Sequence, residues 1–264
     1  MISDYLLNNL IDSIAEFVFE KDKVNLPAAL HEPDLINTNS LIYLKDCIDN
    51  NWVSSGGSWV KKFEDGLCEY TKAKYAIAVS NGTVALRLAL YLVGVKRGDE
   101  VLVPPTSFVA TANAISHLGA TPHFVDIEAK TLAISPSKLD ERLKEITTLK
   151  DGILLNKKTK KRISAILPVH VFGIPADFIE LEKISKKWNI PIIEDSAEAL
   201  GSWYRNKKKL THCGLLGNIG TLSFNGNKII TSGGGGALLT NNRKYAERAR
   251  HISTTAKIPH PWEF

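Results

Sequence analysis

Short apolar segments alternate with segments of helical periodicity through the middle of this chain. A strand pattern at residues 76–80 precedes a helical pattern at 82–93, and a strand at 100–104 precedes a helix at 107–118. Strands joined through helices of this length form right-handed parallel crossovers. The strand segments are apolar throughout, which is typical of a sheet covered on both faces. The sequence therefore predicts an α/β fold with a mainly parallel sheet and helices on both faces.

The same alternation continues toward the C-terminus. Ser135-Pro136 and Asp177 are N-cap signals, and they predict helices to about Ile146 and through Trp188. A last helix is predicted at 242–251, and further strands at 121–126, 163–169, 190–194, 221–224 and 236–240.

The two ends of the chain lack this alternation of strand and helix patterns. Residues 1–60 are predicted to form an N-terminal arm with helices, and residues 61–264 a large domain. The last residues, 257–264, follow the final predicted helix without a closing strand or helix. We therefore expect the chain to continue in a longer parent protein.

Composition excludes several classes of protein. The net charge of +5 is scattered, and no aromatic-rich strand or recognition helix accompanies it, which argues against a nucleic-acid partner. The three cysteines have no CxxC spacing, so neither a disulfide framework nor a cysteine-built metal site is expected. No stretch is long and apolar enough for a bilayer, and the N-terminus lacks the basic start of a signal peptide. We expect a reduced, cytoplasmic protein without a membrane partner.

One lysine stands in an unusual setting. The segment Thr221–Lys228 runs from an apolar strand through Ser223 and an Asn-Gly turn to Lys228, and four glycines follow at 233–236. Upstream, the apolar strand at 190–194 leads into Asp195. Ligands of α/β sheets bind at the carboxyl ends of strands. Lys228 and Asp195 therefore indicate a cofactor aldehyde held as a Schiff base, with its ring nitrogen paired to the acid, as in pyridoxal 5'-phosphate (PLP) chemistry.

Each of these residues also has a plainer interpretation. Asp195 could be an N-cap for the next segment, and Glu198 its capping-box partner. The turn at Gly82-Thr83 could grip a phosphate or only begin a helix, and Phe108 could stack on a ring or belong to the core. A Rossmann-type oxidoreductase is a further alternative, but no GxGxxG motif opens a helix after a strand.

Six segments in order identify a family. The chain resembles the DegT/StrS family of PLP-dependent nucleotide-sugar aminotransferases, which have the type I, aspartate-aminotransferase-like fold. The sequences of residues 52–57, 224–230 and 254–260 are similar to those of one branch of the family. That branch acts on routes to legionaminic acid or bacillosamine-type sugars. The six segments are residues 81–86, 98–101, 105–113, 168–173, 194–201 and 223–228.

The resemblance implies a role for each site residue. Lys228 would form the Schiff base and move protons, Asp195 would face the pyridine nitrogen, and Glu198 would lie near the ring hydroxyl. Phe108 would stack on the ring, His170 would lie close to the site, and the phosphate would be held by Gly82, Thr83 and Ser223. A lysine at this position, where dehydratases of the family carry histidine, implies transamination.

The resemblance also implies substrates and partners. An amino group would pass from L-glutamate to the 4-keto group of a UDP- or GDP-linked 4-keto-6-deoxy-hexosamine, in a homodimer with shared active sites. Family members continue into a smaller C-terminal domain, which we expect to be missing from this chain. The alternative is a catalytically inactive fragment, or a PLP-binding protein without turnover.

Overall fold

The structure, a computed structural model, describes residues 38–254 except 53, 55 and 208, together with residue 256. Its helices are α1 (Ser40–Asp49), α2 (Ser58–Thr71), α3 (Gly82–Leu92), α4 (Val109–Ser116), α5 (Pro136–Ile146), α6 (Phe178–Trp188) and α7 (Arg243–Ser253). Its strands are β1 (Tyr75–Val79), β2 (Glu100–Val103), β3 (Thr121–Phe124), β4 (Thr147–Lys150), β5 (Ile153–Asn156), β6 (Ile163–Ile166), β7 (Ile193–Asp195), β8 (Trp203–Asn206), β9 (Lys209–His212), β10 (Ile219–Ser223) and β11 (Gly236–Thr240).

Seven of the strands form the central sheet. β3, β2 and β6 pair in parallel, as do β7 and β10, while β11 pairs antiparallel with both β10 and β1. Parallel bridges from Ile166 to Ile192 and from Val169 to Asp195 join the two groups. The order is therefore β3-β2-β6-β7-β10-β11-β1, and the predicted mainly parallel sheet is confirmed.

Both faces of this sheet are buried. Val101 and Val103 of β2 pack in one cluster with α3, α4 and α7, whereas Leu102 packs on the opposite face with α5 and α6. Successive side chains of a strand point to opposite faces, so each apolar strand supplies both cores. This explains why the strand segments are apolar throughout, and it confirms helices on both faces.

The predicted helix starts are present. Ser135 Oγ accepts a hydrogen bond from the Lys138 N–H, and Asp177 Oδ1 accepts one from the Glu180 N–H, both at 3.4 Å. Asn242 Oδ1 accepts from the Lys244 N–H at 2.9 Å. Each side chain satisfies a backbone donor that the first helical turn leaves free.

Two hairpins were not predicted from the sequence. β4 and β5 are joined by Asp151-Gly152, with φ of 51° and 75°. Positive φ at both positions is the type I′ turn that Asp-Gly favours, so the signal was present in the sequence. The second hairpin joins β8 to β9 and carries no such dipeptide.

The division into an arm and a large domain stays a prediction. Residues 1–37 of the arm lie outside the described residues, as does the resemblance segment at 257–260. The proposed boundary at residue 60 falls within α2. No helix in the described part of the chain is long and apolar enough to cross a bilayer.

Gly220 of β10 provides a test of this packing. A Cβ atom there would lie 2.1 Å from the carbonyl oxygen of Gly214 and 2.2 Å from its Cα, so the backbones would have to separate. Gly220→Ala should lower the free energy of unfolding by about 3 kcal/mol, measured by urea denaturation followed by circular dichroism.

The matched control is Gly66→Ala on the exposed side of α2, where a Cβ would meet no atom within 4 Å. Alanine is the better helix former, so this variant should gain about 0.5–1 kcal/mol. A Gly220→Ala protein as stable as the wild type would contradict the packing of the Gly214 loop on β10.

Candidate active site

A cavity of about 510 Å³ opens at the carboxyl edge of the central sheet, which is a size typical of small-ligand sites. All eight residues proposed from the sequence line it: Gly82, Thr83, Phe108, His170, Asp195, Glu198, Ser223 and Lys228. A larger cavity of about 700 Å³ lies between α2, α3 and α7, and it contains none of the eight.

Chain topology brings these residues together. They lie at or just after the ends of β1, β2, β6, β7 and β10, which all run in the same direction. The carboxyl ends of parallel strands meet at one edge of a sheet, so residues far apart in sequence become neighbours there. Lys228 lies in the loop that joins β10 to the antiparallel β11.

Lys228 points into the cavity. Its side chain is 13% exposed, and its Nζ lies 3.4 Å from Glu198 Oε1. The other Glu198 oxygen, Oε2, accepts a hydrogen bond from the Phe172 N–H at 3.1 Å. The capping-box interpretation of Glu198 is therefore wrong, because both oxygens interact with distant segments. Phe172 reaches this position with a left-handed backbone, at φ 51° and ψ 27°.

Asp195 is a buried carboxylate with one donor on each oxygen. The Thr111 hydroxyl donates to Oδ2 at 2.7 Å, and the Ala197 N–H donates to Oδ1 at 3.2 Å. Burial raises the pKa of Asp195, and the two hydrogen bonds oppose this effect only in part. Residues 196–200 form turns and not a helix, so the helix N-cap interpretation of Asp195 is wrong.

His170 has both ring nitrogens engaged within the protein. Nδ1 accepts a hydrogen bond from the Ala176 N–H at 3.2 Å, so the ring proton is on Nε2, which donates to Glu194 Oε2 at 2.9 Å. The ring is buried and forms part of the cavity wall. In this arrangement His170 offers a ligand its ring surface and no free nitrogen.

The cavity wall next to the start of α3 is lined by small groups. Asn81 Oδ1 accepts from the Val84 N–H at 2.8 Å, so Asn81 caps α3, as the plainer interpretation expected. A Cβ on Gly82 would lie 2.9 Å from the Ser223 Cβ, so only glycine permits this close approach. Within the described part of the chain the hydroxyls of Thr83 and Ser223 form no hydrogen bond. Two hydroxyls beside a helix N-terminus suit an anion such as phosphate.

Phe108 does not belong to the core. It is 72% exposed at the cavity, immediately before α4. Sequence reasoning missed two buried residues of the site, Thr111 and Glu194, although both lie in segments that carried the resemblance. Neither could be distinguished without a structure, because a threonine within a helix and a glutamate within a strand carry no chemical signal of their own.

The sheet order and the meeting of a lysine, a buried aspartate and two free hydroxyls at its carboxyl edge define a type I PLP-dependent transferase fold. The chain belongs to the DegT/DnrJ/EryC1/StrS aminotransferase family, whose model matches residues 34–260. Aminotransferases of this family use PLP. This membership argues against the nicotinamide-dependent oxidoreductase considered for the sequence.

Three relatives illustrate the similarity. The GDP-perosamine synthase of Escherichia coli O157:H7 is 41% identical over 80% of this chain and 52% of its own length. A solved family aminotransferase from Brucella abortus is 29% identical, with a TM-score of 0.74 over 85% of this chain and 57% of its own. NtdA from Bacillus subtilis, solved with its bound cofactor PMP, is 30% identical, with a TM-score of 0.67 over 81% of this chain and 44% of its own.

The chain thus spans about half the length of the curated relatives it matches.

Asp195 yields a prediction about stability. Because the folded pKa lies above the ordinary 3.8, the ionised carboxylate destabilises the folded chain, and this destabilisation grows as the pH rises through the folded pKa. Asp195→Asn keeps the side chain's shape; its Oδ1 can accept from the Ala197 N–H, and its Nδ2 can donate to the Thr111 hydroxyl oxygen. In cofactor-free protein it should raise the Tm at pH 7 by about 3 °C, and the gain should vanish below pH 3.8.

Asp140→Asn is the control of opposite sign. Burial acts to raise the pKa of Asp140, but hydrogen bonds from Lys144, Lys187 and Trp188 outweigh it and lower that pKa. Its ionised form therefore stabilises the fold above pH 3.8, and Asp140→Asn should lower the Tm at pH 7. A fall in Tm for Asp195→Asn at pH 7 would show that the buried carboxylate is well compensated.

Proposed function

We propose that this chain is the PLP-binding part of an aminotransferase that transfers an amino group from L-glutamate to the 4-keto group of a nucleotide-linked 4-keto-6-deoxy-hexosamine. Such a reaction belongs to bacterial surface-polysaccharide or nonulosonic acid biosynthesis, and we place it in the cytoplasm. The observation that carries the proposal is the meeting of Lys228 and the buried Asp195 in one cavity.

Asp195 suits a cationic ring nitrogen. When bound, PLP supplies an electron sink whose strength depends on a protonated pyridine nitrogen. A cation beside Asp195 would stabilise the ionised carboxylate, whose pKa burial raises. The Thr111 hydroxyl and the Ala197 N–H hold the two carboxylate oxygens, so this group is oriented before a ligand arrives.

The cavity wall suits the rest of the cofactor. Thr83, Ser223 and the first turn of α3 would hold the phosphate, since anions bind at helix N-termini beside free hydroxyls. The exposed Phe108 would stack on the ring, and the wall formed by His170 would lie beside Asp195.

Lys228 is the residue placed to handle protons. Its amine would carry the cofactor at rest and would then act as base and acid at the α carbon of the amino donor. Glu198 holds the Nζ at 3.4 Å, and the Phe172 N–H orients that carboxylate. Glu198 would therefore keep the amine directed at the cavity and would lie near the ring hydroxyl.

The substrate class is supported by the relatives' names. Relatives at 39–41% identity are named GDP-perosamine synthases, which supports a nucleotide-linked sugar. The sequence at 52–57 and 224–230 favours instead the legionaminic acid or bacillosamine branch. Turnover with matched GDP- and UDP-linked 4-keto-6-deoxy sugars shows which nucleotide series the enzyme uses faster.

Covalent trapping tests the role of Lys228. PLP added to the wild-type chain and reduced with borohydride should become fixed to Lys228, as located by peptide mass spectrometry. Lys228→Ala should lose this label completely, whereas Lys244→Ala, which removes an exposed lysine of α7, should retain it. A label that persists on the Lys228→Ala protein would contradict the assignment.

Because the chain spans about half the length of its relatives, an inactive fragment or a PLP-binding protein is the alternative to an enzyme. A half-reaction distinguishes the two. L-Glutamate added to the PLP-loaded chain should convert the cofactor to its amine form, with loss of the visible absorbance and formation of 2-oxoglutarate. Labelling of Lys228 without this conversion would instead support a PLP-binding protein or an inactive fragment.

We also propose that the chain forms a homodimer. Four exposed apolar side chains form a rim beside the cavity: Phe108, Phe172, Ile229 and Ile230. Exposed apolar groups concentrated at a site are typical of a surface that another molecule covers. The family resemblance implies that this molecule is a second copy of the chain.

Sedimentation velocity tests the dimer. The wild-type chain should sediment as a dimer, and the double variant Ile229→Asp, Ile230→Asp should shift to monomer. Leu149→Asp is the matched control, because Leu149 is equally exposed but lies on the β4–β5 hairpin away from the rim. A wild-type monomer at all concentrations would contradict the proposal.

A further inference from the structure

Glu194 immediately precedes Asp195 and is fully buried. Adjacent side chains of a strand point to opposite faces, so Glu194 lies behind the wall that Asp195 presents to the cavity. Its Oε1 accepts from the N–H groups of Leu216 and Gly217, at 2.7 and 2.6 Å. Its Oε2 accepts from the Gly214 N–H at 2.7 Å and lies 2.9 Å from His170 Nε2.

All four partners of Glu194 are donors. Three are backbone N–H groups, and the fourth is the ring nitrogen of His170, whose other nitrogen already accepts from the Ala176 N–H. A carboxylate can accept at both oxygens, whereas an amide must turn an N–H toward one pair of donors. The site therefore requires a carboxylate, and neutral glutamine would oppose donor with donor.

We propose that Glu194 is a positioning residue of the cofactor site, which holds His170 in one orientation with its proton on Nε2. His170 in turn borders Asp195, because the His170 N–H donates to the Asp195 carbonyl at 3.0 Å and the Asp195 N–H donates to the Pro168 carbonyl at 3.0 Å. The end of β7 is thus held to residues 168–170 by backbone bonds and, through Glu194, by a side-chain bond.

Glu194 also ties β7 to β10 on its other side. Gly214, whose N–H donates to Glu194, belongs to the loop that packs against the backbone of Gly220. In addition, the Thr221 hydroxyl donates to the Glu194 carbonyl at 3.0 Å. β10 ends in Ser223 and leads to Lys228, so one buried carboxylate connects the segments that carry the acid, the hydroxyl and the lysine.

This inference rests on the proposed function, and Glu194→Gln tests it. The variant should bind PLP about tenfold more weakly than the wild type, measured by titration of cofactor-free protein followed by absorbance. It should also move part of the His170 proton to Nδ1, read from ¹⁵N chemical shifts of the histidine rings, with His170 assigned by the signals lost in His170→Asn.

Glu100→Gln is the matched control. Glu100 is also buried and also accepts only from donors, namely His123 at 3.0 Å, Asn156 at 2.9 Å and Thr159 at 2.6 Å. It begins β2, at the end of the sheet away from the cavity, and does not line it. The control should lose thermal stability, as Glu194→Gln does, but should bind PLP like the wild type and leave the His170 signals unchanged.

The outcomes are distinct. Glu194→Gln protein that loses stability but keeps wild-type PLP affinity and an unchanged His170 ring would reduce Glu194 to a structural anchor and overturn the proposal. If that variant fails to fold, the wild-type spectrum still decides, because a His170 proton on Nδ1 overturns the proposal and one on Nε2 supports it. Wild-type protein that binds no PLP would refute the proposed function, while the ring signals would still test the hold of Glu194 on His170.

Discussion

The candidate site is built around a carboxylate, Asp195, that is buried with fewer hydrogen-bond donors than it can use. Asp195 is buried, and each of its oxygens accepts one hydrogen bond, so burial raises its pKa. An ionised group in such a place is unfavourable unless a positive charge lies beside it. The fold offsets this cost with the apolar burial of a sheet that is covered on both faces. The resulting site is matched to a cationic partner that the polypeptide itself does not fully provide.

The neighbouring carboxylate, that of Glu194, differs from Asp195 in having enough hydrogen-bond donors around it. Glu194 is buried on the other side of the same strand, and four donors surround it. A carboxylate whose acceptor positions are all filled can hold its neighbours in place, whereas one with unused acceptor capacity can bind a further group. Because side chains alternate along a strand, two consecutive acids serve these different purposes within a few ångströms. A Cβ atom on Gly217 would lie 2.7 Å from the Ile192 carbonyl oxygen, so glycine lets this loop lie close enough to β7 to donate to Glu194.

The sequence predicted much of this architecture, for identifiable reasons. Apolar strand segments and capping residues such as Ser135 and Asp177 act locally, so the helices α5 and α6 begin where predicted. The Asp151-Gly152 hairpin was also encoded locally but was overlooked, because its flanking strands are short and exposed. The antiparallel course of β11 could not be seen, since it depends on which strands lie beside it and not on its own composition.

The sequence by itself determined which chemical groups meet at the candidate site. A lysine, an acid and two hydroxyl residues each follow a strand, and the ends of parallel strands share one edge, so their convergence was predictable and all eight proposed residues line one cavity. Only the tertiary structure decided what each group can do there. In the folded chain Phe108 is exposed, and both ring nitrogens of His170 have hydrogen-bond partners. Glu198 lies within hydrogen-bond distance of Lys228, and the Thr111 hydroxyl donates to Asp195. Hydrogen-bond partners and burial arise from residues distant in sequence, and they set the charge state and orientation that a given side chain adopts.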